Sequence, residues 1–573
     1  MSGQTAIAHR GPISGVACWR DLYVATAGYD NQVILWSAST GTPVTRVLHD
    51  HLANQCSFSP DGKWLVTSSS DYSARLWSIP DLRLRAVLDA HEDDVEMSVF
   101  HPSGEFIATA SRDHQVRVFD FNGAVVASFA GHSADVISVE WSADGTELIS
   151  SSDDGTIKRW SLKSGSMLEE IDMAGVETDT IVLSADGTIY AGNDEGEIVT
   201  VHPDGSRLVT AAHDAGVKRL VLGSDQALLV SLSYDRTARL WDTSGDGLVP
   251  VSTTSIPEDV WARSCAFGAD STLVFGTFGS QYRTYDYQAG KWDEAPIPPT
   301  FGVNAAVPYG ELDETLAIGD AGIAWIETER AGKRELAEMG SLCNFLTPVG
   351  ELVLTGGQLG RVFDALTGRL LYQHRSPLNC GTAFEGADGT YAVVGTYTGE
   401  GLLLRIDGDQ ATHLRDLPLL QNAIKGIAAG SSQLFAVCAD YTATWWDLAS
   451  MTEVRTVPNA HDRIINGCVS LGGDRFASVS RDLTLRIWES DGSVRVIATD
   501  HRNSIKCVSA DSAGKIVATG SYAGVVSLFD VENDRWLRTV RPTTSGISTL
   551  SYDPRSAAFL ASSYDGTIYR VAT

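Results

Sequence analysis

Short runs of alternating apolar and polar residues fill this chain, and none has the length or spacing of an amphipathic helix. VISVEW from Val136 alternates and meets the turn SADG, ELISSS leads into DDG, TIKRWS leads into KSG, and SMLEEI follows. That order predicts four short antiparallel strands joined by tight turns, each turning one face toward a core. Glycine, at 54 of 573 residues, suits a chain with many such turns. The expected class is all-β.

The same phrase returns along the chain: GYDNQVILWS, SSDYSARLWS, SRDHQVRVFD, SDDGTIKRWS, SYDRTARLWD, ADYTATWWDL, SRDLTLRIWE and SYDGTIYRVA. In each, an Asp precedes an aromatic or apolar residue by six positions: Asp30 and Trp36, Asp71 and Trp77, Asp113 and Phe119, Asp154 and Trp160, Asp235 and Trp241, Asp440 and Trp446, Asp482 and Trp488, and Asp565 and Val571. Upstream of many of them stands a His with an apolar residue four later, most cleanly in GHSADVISVEWSADG from Gly131. This pattern resembles the WD-repeat family of β-propellers, whose unit runs over about 40 to 45 residues. Weaker copies close at Val201, Tyr285, Ile326, Phe363, Ile406 and Phe529, so fourteen units of about 41 residues fill the chain. A single blade cannot bury both faces, and rings hold about 4 to 8 blades. Fourteen repeats therefore imply two tandem seven-bladed β-propellers, an architecture similar to that of double-propeller WD proteins.

Three prolines between 296 and 299 mark the linker region, and the expected division is a first propeller over 1–287 and a second over 288–573. The last repeat ends after its third strand. The simple expectation is that the N-terminal strand QTAIA completes the blade ending at Tyr285, while a strand around Lys291 to Ala295 completes the blade ending at Val571. The alternative is an intertwined pair of rings in which the N-terminal strand closes the last blade.

Four residue types recur together: His49, Thr67, Asp71 and Trp77; His91, Thr109, Asp113 and Phe119; His132, Ser150, Asp154 and Trp160; His213, Ser231, Asp235 and Trp241; His461, Ser478, Asp482 and Trp488. In the resembled family these form a hydrogen-bonded tetrad. A Ser, His and Asp set also invites a catalytic-triad reading, but repetition at a fixed period argues for a scaffold that satisfies buried polar groups.

Charge and motif content narrow the function. With 43 basic against 72 acidic residues the formal charge is −29, which argues against direct partnership with nucleic acid or anionic membrane. No apolar stretch is long enough to span a bilayer, and no secretion signal opens the chain. Eight cysteines without CxxC spacing read as reduced structural thiols of a cytoplasmic protein. Nucleophile-elbow, zinc-hydrolase, phosphate-loop and dinucleotide fingerprints are missing, and neither a metal nor a cofactor is expected. The pairs Asp93 with Asp94 and Asp153 with Asp154 are accounted for by turn chemistry rather than cation binding.

The expectation is a non-catalytic protein–protein interaction scaffold, or a recognition subunit of a multiprotein assembly. The alternative is a propeller that binds a small ligand, or acts as an enzyme, through its central funnel. Partner contacts are expected at the residue just before each turn Asp, where side chains are large or charged: Tyr29, Arg112, Tyr234 and Phe278 in the first ring, and Arg481, Tyr522 and Tyr564 in the second. Arg112 is expected to pair an acidic group of the partner.

Overall fold

A computed structural model describes residues 7–298, 300–311, 313–328 and 330–573. Among these residues there are no helices, and fourteen antiparallel sheets follow one another along the chain, thirteen of four strands and the last of three. Numbered in chain order as blades one to fourteen, each pairs its strands consecutively, first to second, second to third, third to fourth. Blade four is built from Val136–Trp141, Glu147–Ser152, Thr156–Ser161 and Met167–Asp172, within one residue of the limits its alternation predicts. The burial follows the chemistry. Of Met167–Asp172 only Ile171 is buried, whereas Glu147–Ser152 is buried from Leu148 on.

Two compact units divide the chain, the first ending at Pro298 and the second running to Thr573. In each, the apolar cores lie between neighbouring blades rather than within them. Val116, Phe129, Val139, Leu148 and Trp160 form one such core between blades three and four. Both units close into rings. In the first, Val16 N–H in blade one donates to Ser264 Oγ in blade seven at 2.8 Å, and Ile13, Val16 and Trp36 share a core with Val274. In the second, Ser551 Oγ in blade fourteen donates to the Ala306 carbonyl of blade eight at 2.6 Å. The fold is thus two tandem seven-bladed β-propellers.

Ring closure differs from the sequence expectation. The strand placed around Lys291 to Ala295 does not complete the last blade: Lys291–Trp292 pairs with Arg283–Asp286 and becomes the fourth strand of blade seven. The reason is local. The Asp286 carboxylate accepts the backbone N–H groups of Gln288 and Ala289 at 3.0 and 2.9 Å, and Gly290 adopts φ +66°, so the chain reverses at once. Trp292 then lies 4.8 Å, centroid to centroid, from both Phe275 and Tyr285. A boundary near Gln288 therefore falls inside this turn, upstream of the 298 junction. The N-terminal strand QTAIA lies mostly outside the described residues; of its described end, Ile7 packs on the core between blades one and seven.

Among the described residues blade fourteen has no fourth strand, and its seam with blade eight is held by a polar clasp. The apolar contribution there is Val303, Ala306, Ala317 and Trp325 with Ile568 against them. Asp553, fully buried, pairs with Arg555 and Arg570 at 2.8 and 3.2 Å. Arg555 crosses the seam to donate to the carbonyls of Tyr309 and Glu314 at 2.8 and 2.9 Å, and Arg570 reaches Thr315 Oγ1 at 3.1 Å.

Candidate functional site

The recurring tetrads are assembled as expected, and their donors and acceptors can be assigned. In blade four His132 Nδ1 lies 2.9 Å from Asp154, His132 Nε2 2.8 Å from Ser150 Oγ, and Trp160 Nε1 2.9 Å from the same Oγ. An indole N–H only donates and a carboxylate only accepts. The hydroxyl therefore accepts from Trp160 and donates to Nε2, while Nδ1–H donates to Asp154. The sets at His49, His213 and His461 repeat this geometry. At His91 the chain ends on Thr109, since Phe119 has no donor. Burial alone would raise the Asp235 and Asp482 carboxyls, but hydrogen bonds from His213 and His461 and from the neighbouring threonines hold both down at about 2. The hydroxyls Thr67, Thr109, Ser150, Ser231 and Ser478 are completely buried, so no nucleophile of these sets is presented to a substrate.

A sixth tetrad was legible but not read from the sequence. His9 sits 3.0 Å from Asp30 and 2.7 Å from Thr26, which accepts the Trp36 N–H at 2.8 Å. Its signal is Ile13, four residues after the His. Blade thirteen keeps a partial set: His501 Nε2 lies 2.8 Å from Thr519 Oγ1, but Ala523 stands where the turn Asp would be. Burial pushes the His501 imidazole down from 6.5 to about 4. Because the folded state holds it neutral, its stabilisation is complete above pH 6.5 and is lost as pH falls toward 4, to the extent of about 3 kcal/mol. Thermal melts of wild type and His501→Gln across pH 7 to 4 are expected to converge on acidification; parallel curves would contradict the assignment.

Two further positions recur in the blades. The first is the residue before the turn, whose backbone N–H donates to the carbonyl just ahead of the first strand: Tyr29 to Pro12 at 2.8 Å, Arg112 to Asp94 at 2.9 Å, Tyr234 to Gly216 at 3.4 Å, Phe278 to Asp259 at 2.8 Å, Arg481 to Ile464 at 3.0 Å, and Tyr522 to Ser504 and Tyr564 to Gly546 at 3.2 Å. The same bond adds Asp153 and Tyr397, which sequence reasoning missed, while Asp194 N–H reaches Glu177, three residues before its first strand. Tyr397 escaped because its repeat has Thr398 in place of the turn Asp.

The second position is a β-bulge residue, the extra residue after the first one of the first strand, as Asn379 lies between Leu378 and Cys380 where the register slips. A bulge re-aims its side chain, here toward the next blade. Asn54 donates to the Val95 carbonyl at 3.0 Å, Asn379 to Ile424 and Asn466 to Ile505 at 2.8 Å, and Ser14 to Ala53 at 2.7 Å, each stitching one blade to the following one. The bulge residue also touches the rim residue of its own blade, as Asn54 does Ser70 at 3.2 Å.

In the first unit the predicted residues lie near one another, with Phe278 buried. Tyr29 makes an edge contact with the bulge residue Trp261 at 5.1 Å, and Trp261 lies 5.5 Å from Phe278. Arg263 sits 5.7 Å over Trp261 and 3.5 Å from Glu96. Arg112, expected to serve a partner's acid, is instead held by the chain's own Glu96 and Asp135. Lys218 lies 5.4 Å over Tyr234 and pairs with Asp179 and Asp194. Burial first, then Asp135, Glu177 and Asp179, raise the Asp153 carboxyl well above its ordinary range. The first opening is thus dominated by carboxylates that absorb their own cations.

The comparisons agree with this architecture. The WD40 family pattern, described as WD domain, G-beta repeat, matches residues 42–78, 82–120, 123–161, 211–242 and 490–530. Five stretches of the chain are WD repeats. This WD-repeat protein is 26% identical over 263 residues to the transcriptional corepressor LEUNIG_HOMOLOG of Arabidopsis thaliana, covering 38% of the chain but only 33% of that protein. It is 27% identical over 233 residues to the target of rapamycin complex subunit wat1 of Schizosaccharomyces pombe, covering 38% of the chain and 74% of the relative. It is 26% identical over 253 residues to a guanine nucleotide-binding protein subunit beta of Zea mays, covering 39% and 67%.

Proposed function

We propose that this WD-repeat protein is a non-catalytic scaffold that holds other proteins, acting as a recognition subunit of an assembly in the cytoplasm. One observation carries the reading. The Ser, His and Asp sets that could have done chemistry are buried and spent on indole N–H groups, while the variable side chains are delivered to the ring openings by a fixed backbone bond. Rigid rings with variable rims are suited to recognition. Similarity to proteins named as a corepressor, a complex subunit and a G-protein subunit supports the same role. Two rings on one chain further allow two partners, or one partner held by avidity.

Affinity capture of the tagged chain from its source cells, followed by native mass spectrometry, is the test. Stoichiometric protein partners are expected. A tightly bound small molecule without protein partners, or turnover on an ester and glycoside panel, would favour the funnel alternative.

A further inference from the structure

The third strand of blade fourteen, Ile568–Ala572, pairs with Ala558–Ser563 on one side, and among the described residues no strand lies on its other side. Thr573 N–H donates to the Ala557 carbonyl at 3.2 Å. Because antiparallel pairing alternates along a strand, Tyr569 and Val571 turn their backbone groups toward the same inner strand, while the N–H and C=O of Ile568 and Arg570 point outward and meet no partner among the described residues. Burial records the same gap. The third strands of blades eleven and thirteen, Ala443–Asp447 and Val526–Asp530, are buried along four of five residues, whereas Ile568–Ala572 is buried at Val571 alone.

The complete blades show what such an edge takes. Ile568 stands three residues after the turn Asp565, where Val33, Val116, Ile157 and Leu485 stand in their own blades. Each of those four is completely buried and pairs with an apolar residue of its fourth strand: Val47, Phe129, Ile171 and Ile497. Ile568 is instead partly exposed, and it packs against the smallest apolar core of the second unit. The chain's own candidates for this place are engaged in the first unit. The residues leading into blade eight are held on blade seven, where the Pro298 carbonyl accepts the Ser280 N–H at 3.0 Å. The N-terminal strand is held there too, since His9 N–H donates to the Ser280 carbonyl at 2.9 Å and Ile7 packs on the same core as Tyr282. A second copy pairing this strand with itself in full overlap would set Arg570 directly opposite Arg570, which like charges disfavour.

Resting on the scaffold reading above, we propose that the outer edge of Ile568–Ala572 takes up an extended segment of a partner protein as an antiparallel fourth strand of blade fourteen, in addition to any contact at the ring openings. The segment spans five or six residues, as the fourth strands of blades twelve and thirteen do. Main-chain bonds to Ile568 and Arg570 supply affinity, and an apolar side chain opposite Ile568 sets the register.

The probe is a fluorescein-labelled, end-capped peptide, SVRVIATD, copied from residues 493–500 around the fourth strand of blade twelve and titrated by anisotropy against the full chain. Saturable binding is expected. It should weaken at least about tenfold when the peptide's Ile is replaced by Asp, or when the backbone nitrogens of its Arg and Ile, which face Ile487 and Leu485 in blade twelve, are methylated. Amide exchange of the wild-type chain needs no variant to fold: Ile568 and Arg570 are expected to exchange fast in the free chain and at least about tenfold more slowly at saturating peptide. A photo-leucine at the peptide's Ile position is expected to label Ile568–Ala572 or Val303–Pro308. Slow exchange of Ile568 and Arg570 in the free chain overturns the proposal, because a segment of the chain itself then covers the edge. So do equal affinity of the methylated peptide, labelling confined to other strands, and a dimer that the peptide splits, which would give the edge to a second copy. If wild type captures native partners but ignores the peptide, the scaffold reading stands and this one fails.

Discussion

Trp160→Ala is expected to lower the stability of the first unit by about 3–5 kcal/mol, the cost of truncating a large buried side chain. Trp160 is 2% exposed, shares a core with Phe129, Trp141 and Val139 between blades three and four, and donates the N–H that fixes Ser150 Oγ. The loss has two separable parts, because Trp160→Phe keeps most of the packing and removes only the donor. Blade three already works this way, with Phe119 beside Thr109 and His91. Trp160→Phe should therefore cost only about 1 kcal/mol. Denaturant melts of the three proteins decide the matter; equal losses for Ala and Phe would mean that the hydrogen bond, not the packing, dominates.

The second large effect is expected at the seam of the second unit. Arg555→Ala should destabilise that unit by about 3 kcal/mol, since it strips Asp553 of a bidentate partner and removes the donor to the carbonyls of Tyr309 and Glu314. The apolar cluster at this seam is the smallest of the second unit, and Ser551 Oγ to the Ala306 carbonyl is one of the other bonds across it. Hydrogen exchange should accelerate in Val303–Pro308 and Ile547–Asp553 and stay unchanged in the first unit. Protection that is unaltered in these strands would show that the clasp contributes nothing to closure.

Much of this architecture is legible in the sequence because it repeats. The Asp and Trp six positions apart fix the third strand's register, and with it the strand limits and the rim residue of eight blades. What escaped depends on partners far along the chain. The bulge amide of Asn379 meets a carbonyl 45 residues downstream, so its pairing leaves no local trace. Arg112 looked available for the same reason: Glu96 and Asp135 lie 16 and 23 residues away in sequence but close on its guanidinium in space. The strand Lys291–Trp292 is too short to show alternation, and only the Asx turn at Asp286 signals that it folds back on its own blade rather than leaving for another.

The central claim is that partners are held at the ring openings. Lysine-reactive cross-linking of the captured native complexes, read by mass spectrometry, tests it most directly. Lys218, Lys425 and Lys506 lie at the openings, next to Tyr234, Tyr397 and Tyr522, whereas Lys291 and Lys333 lie on fourth strands. Cross-links to partner proteins are expected to concentrate on the first group. Links confined to Lys291, Lys333 and other lysines away from the openings would contradict the account and move recognition to the outer edges of the blades.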